Sequence, residues 1–440
     1  MAAIIPGFSK LSRKNKIDIL IQNLHLGEGI MELLDHFRLN ESDFQSILDE
    51  LSENTITNFP TPYGIVPNIK INNKLYHVPV VTEESSVVAA ASKAAKIWSE
   101  RGGFHATVKS SVKNGHVHFI WQGKIEKMKQ IFPLLEKQLL ESTDSLTANM
   151  RKRGGGIKQI LLIDKTKEIP GYFQIQVDFD TIDAMGANFI NSCLESMASH
   201  LPKFFRENPI FIGVEKEVEI VMAILSNYNP DCIVEVFVEC PIEELRGIYP
   251  DLSPALYARR FKLAVDIAKS DIHRAVTHNK GIFNGIDAVA IATGNDYRAI
   301  EAGAHAYASR SGHYQSLSSV NTENDKFLFS LELPLSVGTV GGITSIHPLT
   351  KLSHLILSDP NAKELMEIVA SIGLASNFSA LNALITTGIQ KGHMKMHLSN
   401  ILNQLNADSK QKEEARVYFK NKKVTFGEVE RYLRKEDVVG

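Results

Sequence analysis

The chain has 440 residues, 44% of them apolar, and a formal net charge of −2. That is enough to fill a large core and to divide into more than one domain. Basic and acidic residues are mixed along its length, which argues against a general nucleic-acid binder with a basic face. Three cysteines (Cys193, Cys232, Cys240) without a CxxC pair fit a reduced compartment and offer no thiolate metal site. No run approaches the ~18 continuous apolar residues of a membrane span. In MAAIIPGFSKLSRKNK the basic residues follow the apolar run, unlike a signal peptide, so a cytoplasmic protein is expected.

Residues 1–60 read as short helices, with Ile17, Leu20, Ile21 and Leu24 at helical spacing. NFPTPYGIVPN (58–68) is Pro-rich and expected to be irregular, followed by a strand pair around Ile69–Val78 turned at Asn72–Asn73. Val87, Ala91, Ala94 and Trp98 predict one face of a helix after Glu84, stopped by Gly102–Gly103. TVKSSVKNGHVHFIW (107–121) predicts a β-hairpin with Asn114–Gly115 at its turn. A helix over 123–141, strands over 157–164 and 172–179, a helix over 184–200 and a strand over 217–225 then predict a ferredoxin-like sheet. Ser253–Pro254 opens a long helix towards His273. From about 391 the chain is polar and Lys/Glu-rich, as a mobile lid would be.

The densest polar stretch is 274–314, where Lys280 lies among glycines and asparagines and Asp296 follows what reads as a short apolar strand. Three asparagines (279, 284, 295) and three histidines (278, 305, 313) in this stretch exceed what a core segment needs. Lys280 is either an exposed loop lysine or an ammonium that stabilises charge on a carbonyl oxygen. Asp296 is either a helix cap or the partner that orients Lys280. Glu83–Glu84 are either first-turn helix carboxylates or include one buried acid with a raised pKa. His393 and His397, at i and i+4, lack the Glu of HExxH and a third ligand, so a proton donor on a mobile segment fits better than zinc; surface histidines remain an alternative. GTVGG (338–342) lacks the full dinucleotide fingerprint, which leaves a Rossmann domain unsupported, and RKRGGGIKQ (151–159) sets three glycines beside three cations that could meet phosphates, a weak motif in isolation. DAMGAN (183–188) opens a helix, either as a tight start or as a seat for a pyrophosphate.

Four blocks agree in order: VTEESSVVAAAS (81–92), DAMGAN (183–188), THNKGIFNGID with ATGND (277–296) and GIQKGHMKMH (388–397). Together they resemble the class II 3-hydroxy-3-methylglutaryl-coenzyme A (HMG-CoA) reductases over nearly the whole chain. The resemblance implies an α+β fold: a large, mostly helical substrate domain, an inserted small ferredoxin-like, non-Rossmann dinucleotide-binding domain, and a C-terminal helical flap. The expected divisions are 1–106, 107–227, 228–390 and 391–440. It implies catalytic roles for Glu84, Lys280, Asp296 and His393: Lys280 polarises the thioester carbonyl, Asp296 orients it, Glu84 gives a proton and His393 protonates the departing CoA thiolate. Ser86, Arg274 and Asn284 would hold the hydroxymethylglutaryl part, and Lys10 or Arg13 a CoA phosphate. Asp183, Met185, Gly186, Ala187, Asn188 and Asn227 would contact the dinucleotide. Thr147 falls where NADH-preferring members place an Asp, and with Arg151, Lys152 and Arg153 nearby the expectation is NADPH favoured, NADH possible, and no metal. Two departures stand out: ENTIT (53–57) replaces an ENVIG-type stretch associated with the dimer, and Ser85 replaces a proline. The implied reaction reduces HMG-CoA to mevalonate and CoA with two NAD(P)H in a homodimer with shared sites and no nucleic-acid or membrane partner. The catabolic direction, and a non-catalytic CoA- or dinucleotide-binding sensor, are the alternatives.

Overall fold

The computed structural model describes residues 4–27, 29–388, 398–420, 422 and 424–434. Three short helices, α1 (Arg13–Leu24), α2 (Ile30–His36) and α3 (Ser42–Glu50), precede an antiparallel pair, β1 (Tyr63–Ile71) and β2 (Lys74–Val81). Asn72 and Asn73 turn the pair with φ of 47° and 66°, a left-handed conformation that asparagine tolerates. Because β1 begins at Tyr63, only the first part of 58–68 is irregular; Pro67 is accommodated at the register shift between Val66 and Ile69. α4 (Val87–Ser99) buries the expected face, Val87, Ala91, Ala94 and Trp98.

The hairpin expected over 107–121 does not form. β3 (His105–Val108) pairs with a strand of one sheet, and β4 (Val112–Trp121) lies at the centre of another. β4 runs straight through Asn114–Gly115, neither of which has the positive φ that a two-residue turn requires. Gly115 serves close packing instead, since a Cβ there would lie 2.5 Å from Leu194 Cδ1. The boundary expected at 107 therefore cuts through β3.

From β4 the chain continues as α5 (Ile125–Ser142), α6 (Asp144–Lys152), β5 (Gly156–Asp164), β6 (Tyr172–Asp180), α7 (Ala187–Glu207) and β7 (Val218–Leu225). Their sheet has the order β5-β6-β4-β7, all antiparallel, a split βαβ arrangement. Val117, Phe119 and Trp121 of β4 and Phe173, Ile175, Val177 and Phe179 of β6 form one core with the apolar stripes of α5 and α7.

The remainder comprises β8 (Ile233–Pro241), α8 (Pro254–Ser270), α9 (Ile272–Ala292), α10 (Tyr297–Ala308), β9 (Ser318–Asn321), β10 (Lys326–Pro334), α11 (Pro348–Ile356) and α12 (Ala362–Ile385). The second sheet has the order β3-β8-β10-β9. Ser253 caps α8 as expected, and Asp271 ends that helix and starts α9 by accepting from the His273 N–H at 3.0 Å. The apolar run before Asp296 is the last part of α9, not a strand: Ile282, Phe283, Ile286 and Val289 continue the helical spacing on its buried side. α12 is long and apolar enough by composition to cross a membrane, yet it is largely buried in this core, packed on α4, α9 and β8. C-terminal residues form a third cluster around Leu398, Leu402, Ala415, Phe419 and Val429.

Candidate active site

The end of β2 brings Thr82, Glu83 and Glu84 to the surface, where Thr82 Oγ1 accepts from the Glu84 N–H at 3.1 Å. Ser86, just before α4, has φ 78°, an uncommon conformation for a residue with a Cβ and one that clusters at functional sites. α9 packs against β2, and this brings Lys280 onto Glu84 from 196 positions away: Lys280 Nζ donates to Glu84 Oε2. The two side chains are 58% and 42% exposed. A pair this open contributes well under ~1 kcal/mol to folding. What it offers chemically is an ammonium for a negative oxygen and a carboxyl group within proton reach. Lys280 lies on a helix rather than the expected loop. Glu84 is half open to solvent, so a single chain does not bury the acid.

Asp296 is not part of this pair. It is the N-cap of α10, accepting from the Arg298 and Ala299 N–H groups at 3.1 and 3.3 Å and pairing with Arg298 Nε at 3.2 Å. Along α9, the residues between Lys280 and Ala292 alone put roughly 18 Å between Lys280 and the segment holding Asp296. Arg274 is half-buried without a hydrogen-bond or ion-pair partner among the described residues, and burial lowers its pKa. A guanidinium so placed is short of an anion. Asn284 is half-buried one turn beyond Lys280.

Much of the polar density in 274–314 is structural. Asn279 Nδ2 donates to Tyr314 Oη and the Gln315 carbonyl (3.0 and 2.9 Å), and its Oδ1 accepts from the Leu317 N–H. His278 Nε2 meets Ser318 Oγ at 2.7 Å, and burial pushes its pKa down to about 3, which keeps the ring neutral. Asn295 Oδ1 accepts from the Gly338 N–H at 2.8 Å.

The turn between β6 and α7 is held tightly. Ile182 has φ 52°, a strained value for a β-branched residue. The Asp183 carbonyl accepts from the Thr339 N–H at 2.8 Å, and its Oδ1 accepts from the Ala362 N–H at 2.9 Å, so Asp183 also caps α12. Gly338 leaves room for this turn, because a Cβ there would stand 2.2 Å from Met185 N. Gly186 has φ 93°, and a Cβ on it would meet Thr181 at 2.5 Å. Ala187 and the exposed Asn188 begin α7, whose N-terminus has no side-chain cap. Its first N–H groups and positive dipole end suit an anion. Asn227 is exposed on the segment leaving β7, its carbonyl close to Gly303 of α10. Lys113, beneath the turn, was not among the expected site residues. Its signal is register, since it shares the inward phase of Val117, Phe119 and Trp121 on β4.

The glycine run after α6 closes against the same turn: a Cβ on Gly155 would meet the Asp180 carbonyl at 2.5 Å and Ile182 Cγ1 at 2.9 Å. Arg151 pairs with Asp144 at 2.7 Å, while Lys152 and Arg153 are exposed without ion-pair partners among the described residues. Thr147 is turned inward and donates to the Thr143 carbonyl at 3.0 Å, so it cannot itself face a dinucleotide. Arg13 is committed to the Ile56 carbonyl (2.6 Å) and to Asp35 (2.8 Å), which leaves exposed Lys10 as the more available cation. His393 and His397 lie outside the described residues.

The hydroxymethylglutaryl-coenzyme A reductase family model matches residues 18–398. A probable 3-hydroxy-3-methylglutaryl-coenzyme A reductase of Borreliella burgdorferi is 36% identical over 407 residues, 91% of this chain and 89% of that protein. The reductase of Archaeoglobus fulgidus is 34% identical over 410 residues, 91% and 87% of the two chains. Among solved structures, the Streptococcus pneumoniae reductase matches with a TM-score of 0.72 at 35% identity, covering 99% of this chain and all of that one. A class II reductase structure from the same organism, bound to NADPH in open conformations, matches at 0.71 and 37% identity, covering 87% of this chain and all of the other. With a family match over most of its length and close likeness to class II structures, the chain belongs to the class II 3-hydroxy-3-methylglutaryl-coenzyme A reductase family of oxidoreductases.

Proposed function

We propose that the chain reduces HMG-CoA to mevalonate and CoA with two equivalents of NAD(P)H, and that Lys280 and Glu84 are its chemical centre. The observation that carries this is the wet ion pair between them, which does little for stability. Each reduction places negative charge on a carbonyl oxygen, and one fixed ammonium, Lys280, serves both. Glu84 supplies the proton in the second reduction. The dinucleotide supplies hydride. Arg274 receives the substrate carboxylate, with Ser86 and Asn284 placing the hydroxymethylglutaryl part and Lys10 meeting a CoA phosphate. His393 protonates the CoA thiolate.

The small four-stranded unit is read as the dinucleotide-binding domain, with the pyrophosphate on the α7 N-terminus beside Met185, Gly186, Ala187 and Asn188. The larger unit takes the thioester, and the C-terminal helices act as a flap. Lys152 ends α6 and Arg153 follows it where the loop meets that turn, and they favour a 2′-phosphate and hence NADPH. A homodimer accounts for two further facts. Ile272 and Val276, 55% and 53% exposed, share one helical face with Lys280. Asp296 is too far along the chain to orient Lys280 in the same copy. A second copy laid on that face covers the apolar stripe, encloses Glu84 and brings its own Asp296 to Lys280.

The test is NADPH consumption with HMG-CoA, repeated with NADH. Two dinucleotides consumed per thioester, with NADPH giving the higher kcat/KM, is the expected outcome. Folded protein that turns over neither cofactor would overturn the reading.

A further inference from the structure

Lys113 is 5% exposed. Its Nζ donates to Thr181 Oγ1 at 2.8 Å and to the Ala184 and Met185 carbonyls at 2.9 Å each, with the Val337 carbonyl at 3.5 Å. Thr181 Oγ1 itself donates to the Ala184 carbonyl at 2.7 Å, so toward the lysine it acts as acceptor. Three close acceptors match the three protons of an ammonium, which has no lone pair to offer in return. No carboxylate is ion-paired with this cation among the described residues. Asp180, which acts on it from further away, accepts from the Ile182 N–H (3.0 Å) and lies 3.7 Å from Lys158. Burial pulls its pKa down, and charge at Cys232 and then at Asp180 opposes that pull.

All of these partners lie in the strained turn leading into α7 or on the segment from the larger unit that supports it. A buried cation beside the positive end of a helix, with no acid to neutralise it, is costly to the fold alone. An anion at that helix end offsets part of the cost.

We infer that Lys113 is a positioning residue for the dinucleotide: it holds the carbonyls of the 181–185 turn inward, so that the N–H groups opening α7 face outward to the pyrophosphate. This rests on the reading that the pyrophosphate lies on α7. The same clamp ties the turn to Val337, whose neighbour Gly338 donates to Asn295, next to Asp296. The cofactor turn and the Asp296 cap thus share one hydrogen-bonded support.

The experiment uses the full chain, NADPH as probe, and Lys113→Met, Thr181→Val and Asn188→Asp. Lys113→Met is expected to raise both the Kd for NADPH and the KM for NADPH by roughly tenfold or more, because charge-assisted hydrogen bonds are lost. The KM for HMG-CoA and kcat at saturation should stay within about twofold. A purely structural role would instead lower active protein and leave both KM values alone, and that result would overturn the proposal. If Lys113→Met does not fold, Thr181→Val removes one acceptor of the clamp and should raise the NADPH Kd by roughly threefold; an unchanged Kd overturns the proposal. Asn188→Asp adds a carboxylate at the helix start, which suits the helix but repels a pyrophosphate. If it leaves NADPH affinity unchanged, the underlying site reading fails. If it weakens affinity while the other two variants do not, only the role of Lys113 fails.

Discussion

Lys280 and Lys113 are the same side chain in opposite surroundings. Lys280 is on the wet face of α9, touching one carboxylate and little else. Lys113 is sealed under the turn into α7, with three close oxygens and no acid paired to it among the described residues. An exposed ammonium costs the fold almost nothing and is available to a substrate. A buried one is committed, and every proton it carries has to be met. Our proposal is that one lysine serves chemistry and the other shape, and substitutions should separate them.

The largest effect is expected at Lys280. Lys280→Met should lower turnover by at least ~10³-fold in both half-reactions, since it removes the charge facing the carbonyl oxygen. Its Tm should stay within about 2 °C of the parent, because an exposed pair stabilises little. Lys113→Met should do the reverse, costing roughly 2 kcal/mol of stability by stranding buried carbonyls. Thermal melts beside single-turnover assays check both; if Tm and turnover fall together at Lys280, the contrast between the two lysines breaks. Glu84→Gln is the next largest, with a loss of roughly 10²-fold in reduction of added mevaldehyde, as for a missing proton donor. An unaltered rate there would remove Glu84 from that role.

A fourth substitution tests why Lys280 is wet at all. Val276→Glu puts a charge on the apolar stripe one turn before Lys280. If a second copy covers that face, the variant should become monomeric in sedimentation and lose roughly tenfold or more in turnover, since like-charge and desolvation costs at an interface reach several kcal/mol. A variant that stays dimeric and active would place the interface elsewhere and leave the distance from Lys280 to Asp296 unexplained.

The sequence made Lys280 and Glu84 legible because both stand out chemically in their segments. It made the small sheet legible because its strands and helices follow clear periods. It hid Lys113, and the reason is instructive. Asn114–Gly115 is a strong turn signal, and reading it as a hairpin interrupted the alternation that puts Lys113 in phase with Val117, Phe119 and Trp121. The tertiary demand for a glycine against Leu194 outweighed the local turn preference. Thr147 was singled out by its place along the chain, which says nothing about which side of α6 faces the protein, and there it is buried. Asn279, His278 and Asn295 looked functional because polar residues crowd there, whereas each satisfies buried backbone or side-chain groups. Asp296 was open to reading as a helix cap or as the partner of Lys280, and no local pattern reveals that the length of α9 parts the two within one chain.

The smallest expected effect concerns a half-buried acid that lacks what Lys113 has. Asp287 lies on α9 beside Glu301 of α10, and its Oδ1 is buried with no hydrogen-bond partner among the described residues. Burial first, and then the neighbouring Glu301 carboxylate, raise its pKa well above the ordinary 3.8. The folded chain therefore keeps a proton that the unfolded chain has lost, so stability from this group is full below about 3.8 and falls as pH rises through the raised folded value. Asp287→Asn keeps a donor toward Glu301 and removes the charge. It should be about as stable as the parent in mild acid and more stable by roughly 1 kcal/mol above neutrality, a figure kept low because the residue is only partly enclosed. Denaturant unfolding at about pH 5 and about pH 8.5 measures the difference. A gap that does not widen with pH would mean that Asp287 is already charged in the folded chain, and that α9 tolerates an unneutralised acid where β4 surrounds its lysine with acceptors.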